Sequence, residues 1–358
     1  KMKFIRNTFK FVFLVANLVV GIGFLICAYS PMLSPVQHPV LACAGLFIPI
    51  FIVLNICFIV FWAFVKWKVM IVPVSFFLLG WNSLMSYSPI NSSAESTGGE
   101  TLEVLTYNIM QMLNIKAEDR KSDKSIVDYI KESGADIVCL QEYPYNNSEL
   151  KNSLTKVYPY MRACRFNSSN AVACFSKYPV RFIEELKIKS NFNGSAVFSV
   201  KYKDNNIPMI VNHLESNKLD AHDKEVYTDM LKSPDEKKVK SGSKYLLKKL
   251  ADAMAIRGPQ ADVISGYIEK EYSPYMIVCG DFNDTPVSYV HDKISEKLQD
   301  AYIEAGNGPG ITYNSNFLYF RIDHIMVGDS YKVLECRVDD SIDASDHYPL
   351  RCRLELKK

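Results

Sequence analysis

The sequence predicts an α/β sandwich carried behind a bundle of about three transmembrane helices. Three observations predict it. Residues 11–90 are almost free of charge, while the remainder is polar and charge-rich. From residue 101 onward, short apolar runs alternate with amphipathic stretches, the pattern of strands with helices between them. Between these parts lies SPINSSAESTGGE (88–100), rich in Ser, Gly and Asn, which reads as a linker. The expected organisation is an anchor over residues 1–90, a linker over 91–100 and a second domain over 101–358.

A helix needs about 20 apolar residues to cross the hydrocarbon core. Residues 11–29, 40–65 and 69–87 qualify, although Pro73, Asn82 and several serines interrupt the third. Lys1, Lys3, Arg6 and Lys10 precede the first span, and Lys66 and Lys68 lie between the second and third. The loop over 30–39 has no Lys or Arg, and residues 88–103 carry only Glu95, Glu100 and Glu103 as charges. Positive ends face the cytoplasm. An odd number of spans then places the C-terminal part outside it, on the periplasmic or extracellular side. Trp62, Trp67 and Trp81 fall near span ends, where indoles favour the interface. The alternatives are a signal peptide or a buried helical domain. The first span is long for a signal sequence and more apolar spans follow it, and these segments lack a polar stripe. They also lack the acidic and basic residues of a transport pathway, so they read as an anchor.

With 41 basic and 39 acidic residues the formal net charge is +2. That argues against a strongly cationic nucleic-acid binder and leaves a local basic groove open. The nine cysteines include no CxxC and no Cys/His zinc spacing, which excludes a zinc module of that kind. Cys139, Cys174 and Cys279 sit in apolar runs and read as core thiols. Pairing among Cys164, Cys336 and Cys352 stays open.

Within 101–358, TLEVLTYNI reads as a strand. SDKSIVDYIKESG follows as an amphipathic helix with a Ser or Asp start and a Gly stop. DIVCLQE is a buried strand, and AVACFSK, AVFSVKY and IPMIVNHLE are three more. A long charged helical stretch covers about 217–270. YMIVCGDFN (strand), VSYVHDKISEKL (helix), RIDHIMV and KVLECRV (strands) complete the pattern.

Polar residues at the ends of apolar strands carry the chemistry, because a strand end points its last side chains into whatever cleft the ends line. Asn108, Glu142, His213, Asp281 with Asn283, and Asp346 with His347 all stand in such places, and Asp323 lies inside RIDHI. Phosphoester hydrolysis needs a hard cation, a base for water, and donors for charge on phosphorus oxygens. Glu142 and Asn108 suit Mg²⁺, with Mn²⁺ as the alternative. Asp281 suits the base. His213, Asn283 and His347 suit phosphate, and Asp323 suits the task of holding His347 in one tautomer and cationic. Taken singly, each has a structural explanation. Asn108 caps a turn, Glu142 is a solvated strand end, His213 a core histidine, GDFND an Asx-rich turn, and Asp323 a partner of Arg321. Together and in order they do not.

The chain resembles the endonuclease/exonuclease/phosphatase superfamily through TYNI (106–109), LQE (140–142), SKYP (176–179), NHLES (212–216), GDFND (280–284), RIDHI (321–325) and SDHYP (345–349). The resemblance implies a DNase-like, four-layer fold: a two-sheet β-sandwich flanked by helices, with one cleft at its end. It implies Glu142 as metal ligand helped by Asn108, Asp346 as a metal-side ligand, Asp281 as base, His213, Asn283 and His347 as phosphate contacts, and Asp323 as partner of His347. It places Asn170 near the cleft.

Other residues read as structural. Arg257 and Gln260 suit an ion pair near the cleft rim. The lysine run 237–249 suits a solvated helix face; contact with anionic lipid or nucleic acid stays open. Tyr313 suits packing or stacking on substrate. His222, His291 and His324 show no partner pattern. The expected function is thus a membrane-anchored, Mg²⁺-dependent hydrolase of phosphoester bonds acting on an extracytoplasmic lipid, nucleic-acid or small phosphate ester. The alternatives are an endo- or exonuclease acting on extracellular DNA or RNA, and a catalytically inactive, membrane-tethered binding module. The expected partners are the phosphoester substrate and a lipid bilayer, and no protein partner is inferable.

Overall fold

The computed structural model describes residues 2–92, 94–113, 124–167, 170–219, 221–232, 235–315 and 318–357. Lys1 and the expected Ser122 or Asp123 helix start lie outside them, as do residues 220 and 233–234 of the charged stretch.

The apolar N-terminal part folds as α1 (Met2–Tyr29), a short turn α2 (Pro39–Ala42), α3 (Ile48–Lys66), α4 (Ile71–Leu79) and α5 (Trp81–Tyr87). Helices α1 and α3 run antiparallel: Phe13 stacks on Phe61 at 4.6 Å, and at the other end a Cβ on Gly23 would meet the Phe51 ring. Then α4 and α5 run back beside α1 in its own direction. A Cβ on Gly21 would meet Phe76, one on Gly80 would meet Phe24, and Ser83 donates to the Ala28 carbonyl at 2.6 Å. The expected third span is therefore corrected. Gly80 separates two short helices, and among the described residues only two segments, Arg6–Met32 and Pro39–Leu79, are long and apolar enough to cross a membrane. A second correction concerns Trp62. It is 1% exposed and donates its indole N–H to Asn17 Oδ1 at 3.1 Å, since a buried indole seeks a partner. Trp67 and Trp81 are exposed.

The polar part carries two six-stranded mixed sheets. Its strands are β1 (Thr101–Asn108), β2 (Ile137–Pro144), β3 (Tyr160–Arg165), β4 (Asn170–Ser176), β5 (Val180–Leu186), β6 (Gly194–Tyr202), β7 (Asn205–His213), β8 (Ile277–Asp281), β9 (Gln299–Asp300), β10 (Tyr313–Ser315), β11 (Leu318–Phe320), β12 (Asp323–Val327), β13 (Tyr331–Val338) and β14 (Leu350–Leu356). One sheet runs β13-β14-β1-β2-β4-β3, the other β5-β6-β7-β8-β12-β9, and β10-β11 form a separate hairpin. Each large sheet has one parallel pair, β1 with β2 and β7 with β8. Their carboxyl ends therefore open at one end of the sandwich.

Alternation along the strands fills three layers of core. Leu102 and Val104 of β1 meet Phe198, Val211 and Cys279 between the sheets. Leu105 and Tyr107 face out onto α6 (Lys124–Glu132) and α7 (Ser148–Leu154). On the far side, Ile210 and Val278 pack under α9 (Glu236–Glu271), which follows α8 (Ala221–Lys232), and under α10 (Tyr289–Ser295). A short α11 (Ala301–Ala305) precedes β10. This is the two-sheet sandwich flanked by helices. The Gly stop of α6 is present, with Gly134 at φ +74, where a glycine carries no Cβ penalty. All nine cysteines are free thiols; Cys336 and Cys352 stand opposite each other in the β13–β14 register.

Candidate active site

Four strand ends bring the expected residues together. Asn108 ends β1 and His213 ends β7, and Asp281 ends β8 opposite Asp323, the first residue of β12. Glu142 comes from β2 by a less regular route. The β2–β4 register shifts between Leu140 and Tyr143, and Glu142 takes φ 50. A bulge of this kind re-aims one side chain, here into the cleft. The left-handed backbone is uncommon for a residue with a Cβ, and such strain gathers at functional sites. Asn283 also has a positive φ of 52, which asparagine tolerates better. Gly280 sits at φ 124, and a Cβ there would fall 2.1 Å from the Asn212 carbonyl oxygen. Only glycine lets β8 approach β7 so closely.

Asp281 is the hub. Its Oδ2 accepts from Asn108 Nδ2 at 3.1 Å and Asn283 Nδ2 at 3.2 Å, and lies 3.7 Å from both His213 Nε2 and His347 Nε2. The Asn283 amide N–H donates to its other oxygen at 2.7 Å. The GDFND segment is thus an Asx turn and a cleft wall at once. Burial raises the Asp281 carboxyl to about 6, with His347 pulling the other way. His347 Nδ1 bonds Asp323 Oδ2 at 2.7 Å. Burial alone would depress this imidazole; Asp323 and Asp281 outweigh it and hold it well above the usual histidine value. His213, by contrast, is lowered by burial. Its Nδ1 and Asp323 Oδ1 are buried without a hydrogen-bond partner among the described residues.

Glu142 and Asp346 line the same cleft. Burial raises the Glu142 carboxyl and the charge of Asp346 raises it further. Among the described residues no Lys or Arg forms an ion pair with Glu142, Asp281 or Asp346. Two hard carboxylates that repel each other beside an amide suit a divalent cation with oxygen preference. Asn108 turns Nδ2 toward Glu142 (3.4 Å) and Asp281, while its Oδ1 accepts from the Met110 amide at 3.1 Å. In this orientation it bridges carboxylates, and Glu142 with Asp346 are the better donors. Asp281, Asp323 and His347 also converge closely enough to hold a metal, but the short His347–Asp323 bond marks an ion pair instead.

Further residues support the site, and the structural ion pair expected of Arg257 is present. Arg257 of α9 is fully buried and donates to Asp284 Oδ2 (3.3 Å), the Glu215 carbonyl (2.9 Å) and Asn217 Oδ1 (2.9 Å). Gln260 accepts from the Glu215 amide at 2.9 Å. Together they tie NHLES to GDFND. Ser345 donates to the Asn108 carbonyl at 2.8 Å, and Thr312 Oγ1 accepts from the Ile322 and Asp323 amides. Asp323 does not pair with Arg321, which donates to carbonyls of Ser86, Tyr87 and Pro309. Asn170 donates to the Phe192 carbonyl at 2.8 Å and does not line the cleft. Tyr313 lines it, ring to ring with His347 at 5.1 Å. His222 is exposed beside Glu225. His291 and His324 do have a partner, since both bond Asp300.

Comparison with known proteins bears on this site. The family described as Endonuclease/Exonuclease/phosphatase family matches residues 105–347, and a domain of unknown function matches residues 10–87. A search of curated proteins gave no match. Similar solved structures include an endonuclease/exonuclease/phosphatase from Beutenbergia cavernae, with 16% identity over 72% of each chain and a TM-score of 0.49. The human Nocturnin catalytic domain with bound sulfate has 16% identity over 72% of this chain and 94% of that one, at a TM-score of 0.48. ANGEL2, a 2',3'-cyclic phosphatase, has 15% identity over 75% of this chain and all of that one, at 0.49.

Proposed function

Because the chain belongs to the endonuclease/exonuclease/phosphatase family of phosphoester hydrolases, we propose that it is a membrane-anchored, Mg²⁺-dependent hydrolase acting outside the cytoplasm. The observation that carries the reading is the convergence on Asp281: one buried carboxylate with two imidazoles and two amides within 3.7 Å.

Asp281 takes the proton of the attacking water, and its raised carboxyl is a stronger base than an ordinary aspartate. His347, held cationic by Asp323, and His213 with Asn283 donate to the phosphate oxygens as charge develops. Glu142 and Asp346, with Asn108 beside them, would hold a Mg²⁺, which would supply neutralisation of phosphate charge. Arg257 and Gln260 keep the two strand ends in register.

The residues before 91 form the anchor, and those from 101 onward the catalytic domain. Supporting an extracytoplasmic domain, Lys66 and Lys68 cluster at the turn between α3 and α4, and the α4–α5 segment returns alongside α1.

The test is turnover by the full chain under Mg²⁺, Mn²⁺ and EDTA. The panel holds bis-p-nitrophenyl phosphate, plasmid DNA, RNA, phospholipids and inositol phosphates. Cation-dependent hydrolysis is expected. A folded chain that turns over no phosphoester would shift the reading to a binding module, and preferential cutting of DNA or RNA would make it a nuclease.

A further inference from the structure

The anchor supplies part of the cleft. Leu46, in the segment joining α1 to α3, lines it together with Leu219, Phe320 and Ile322. These four are apolar side chains in the lining of a phosphate cleft that also holds Glu142 and Asp346. Leu46 is held there by close packing. Ala42, Cys43 and Leu46 pack on Ala251 and Met254 of α9. At Gly45 a Cβ would fall 1.9 Å from the Val287 carbonyl oxygen, so the backbone of the anchor touches the segment just after GDFND with no room for a side chain. Pro35 lies against Gly258 of α9, beside the buried Arg257. On a second contact, Arg321 caps the last turn of α5 through the Ser86 and Tyr87 carbonyls, two residues before Asp323.

The outward side of the same joining segment is apolar too. Met32, Val36, Val40, Leu41 and Phe47 are 41–75% exposed. They lie between α1 and α3, the two longest apolar helices of the anchor. The anchor segment thus presents apolar side chains both on the exposed surface beside the bundle end and, at Leu46, in the lining of the cleft. A small hydrophilic phosphate ester makes no use of such a lining. A phosphoester with an aliphatic chain does, because the chain stays in apolar contact while its head enters the cleft.

We propose that the substrate is a lipid phosphoester resident in the same bilayer as the anchor, and that Leu46 of the anchor segment guides its chain at the cleft. This rests on the phosphoesterase reading above and adds the substrate class and one specificity-determining residue.

The experiment uses the full chain in dodecyl maltoside, a detergent without phosphate. The probes are p-nitrophenyl alkyl phosphates and alkyl monophosphates with methyl or hexadecyl chains, and the p-nitrophenyl ester of thymidine phosphate. The readout is the ratio of kcat/KM for the hexadecyl ester to that for the methyl ester. The expected ratio is about tenfold or more. It should fall several-fold in Leu46→Gln and return in Leu46→Met. A wild-type ratio near one, or a preference for the thymidine ester, overturns the inference while leaving the phosphoesterase reading intact. So does an unchanged ratio in a folded Leu46→Gln. Absence of turnover on every probe, with the chain folded, overturns the underlying reading and the inference with it. Should Leu46→Gln fail to fold, the wild-type chain-length ratio decides alone.

Discussion

Two buried clusters of histidine and aspartate share strand β12, and only one of them meets the cleft. Asp323 points to His347 and Asp281; the next residue, His324, points to the other face of the sheet, toward Asp300 and His291. Both trios have ligand atoms within 4.8 Å of one another. The second is closed. Asp300 Oδ2 bonds both imidazoles, its Oδ1 caps α11 through the Tyr302 and Ile303 amides, and His324 Nε2 reaches the Asp284 carbonyl. The first is left open: among the described residues Asp323 Oδ1 and the neighbouring His213 Nδ1 have no hydrogen-bond partner, and Glu142 and Asp346 line the cleft beside it. Residue type does not make a site here; unmet hydrogen-bonding capacity beside a cleft does.

The comparison can be broken from either side. The largest expected effect is on turnover. Glu142→Ala should lower kcat about 10³-fold with little change in Tm, measured by steady-state hydrolysis and thermal unfolding; equal losses in both would make Glu142 structural. Next comes the closed cluster. Asp300→Asn keeps a capping oxygen but strips the charge from between two buried imidazoles. It should cost about 3–5 kcal/mol in chemical denaturation, with kcat per folded molecule retained.

Asp323→Asn sharpens the comparison through pH. With Asp281 as the proposed base, turnover would need it ionised, so the rate should rise as pH climbs through about 6. With His347 as the proposed cationic donor it would also need that imidazole protonated, so the rate should fall again above the raised His347 value. Removing the Asp323 charge lowers that value and should move the alkaline limb to lower pH, with kcat down about 10²-fold. An unmoved limb would show that Asp323 does not set the charge of His347.

The smallest effect lies in the linker. Glu355 accepts from Ser96 Oγ, from the Thr97 amide and Oγ1, and from the Gly99 amide. These bonds hold its carboxyl down at about 2. The stabilisation is present above the ordinary carboxylate range and lost as pH falls through about 2. Glu355→Gln should raise protease cleavage around 96–99 at neutral pH without altering turnover.

Much of this fold was legible because its strands are apolar runs. TLEVLTYN, IVCLQEYP and IVCGD carry alternation or continuous burial that only a sheet satisfies, and their polar last residues stood out against it. Strands β3 and β5 were not legible. β5 (VRFIEEL) is exposed along most of its length, an edge strand without the apolar pattern that marks a buried one. The site residues came from motifs; Arg257 and Gln260 were legible as structural residues near the rim, but not the partners they hold. Arg257 and Gln260 lie more than 40 residues from the Glu215 backbone they hold, and no local pattern encodes that distance. Glu142 was found by its motif, but the bulge that aims it is a property of pairing with β4. Leu46 is one leucine among many in an apolar stretch, and only tertiary packing sets it against the cleft.

The most direct measurement pairs His347→Ala with His324→Ala and follows bis-p-nitrophenyl phosphate turnover and Tm in both. If the open cluster is the catalytic one, His347→Ala loses about 10³-fold in kcat with Tm nearly unchanged, and His324→Ala loses Tm while its folded fraction keeps turning over. The reverse pattern, with His347→Ala active or His324→Ala inactive at an unchanged Tm, would contradict the assignment of the site.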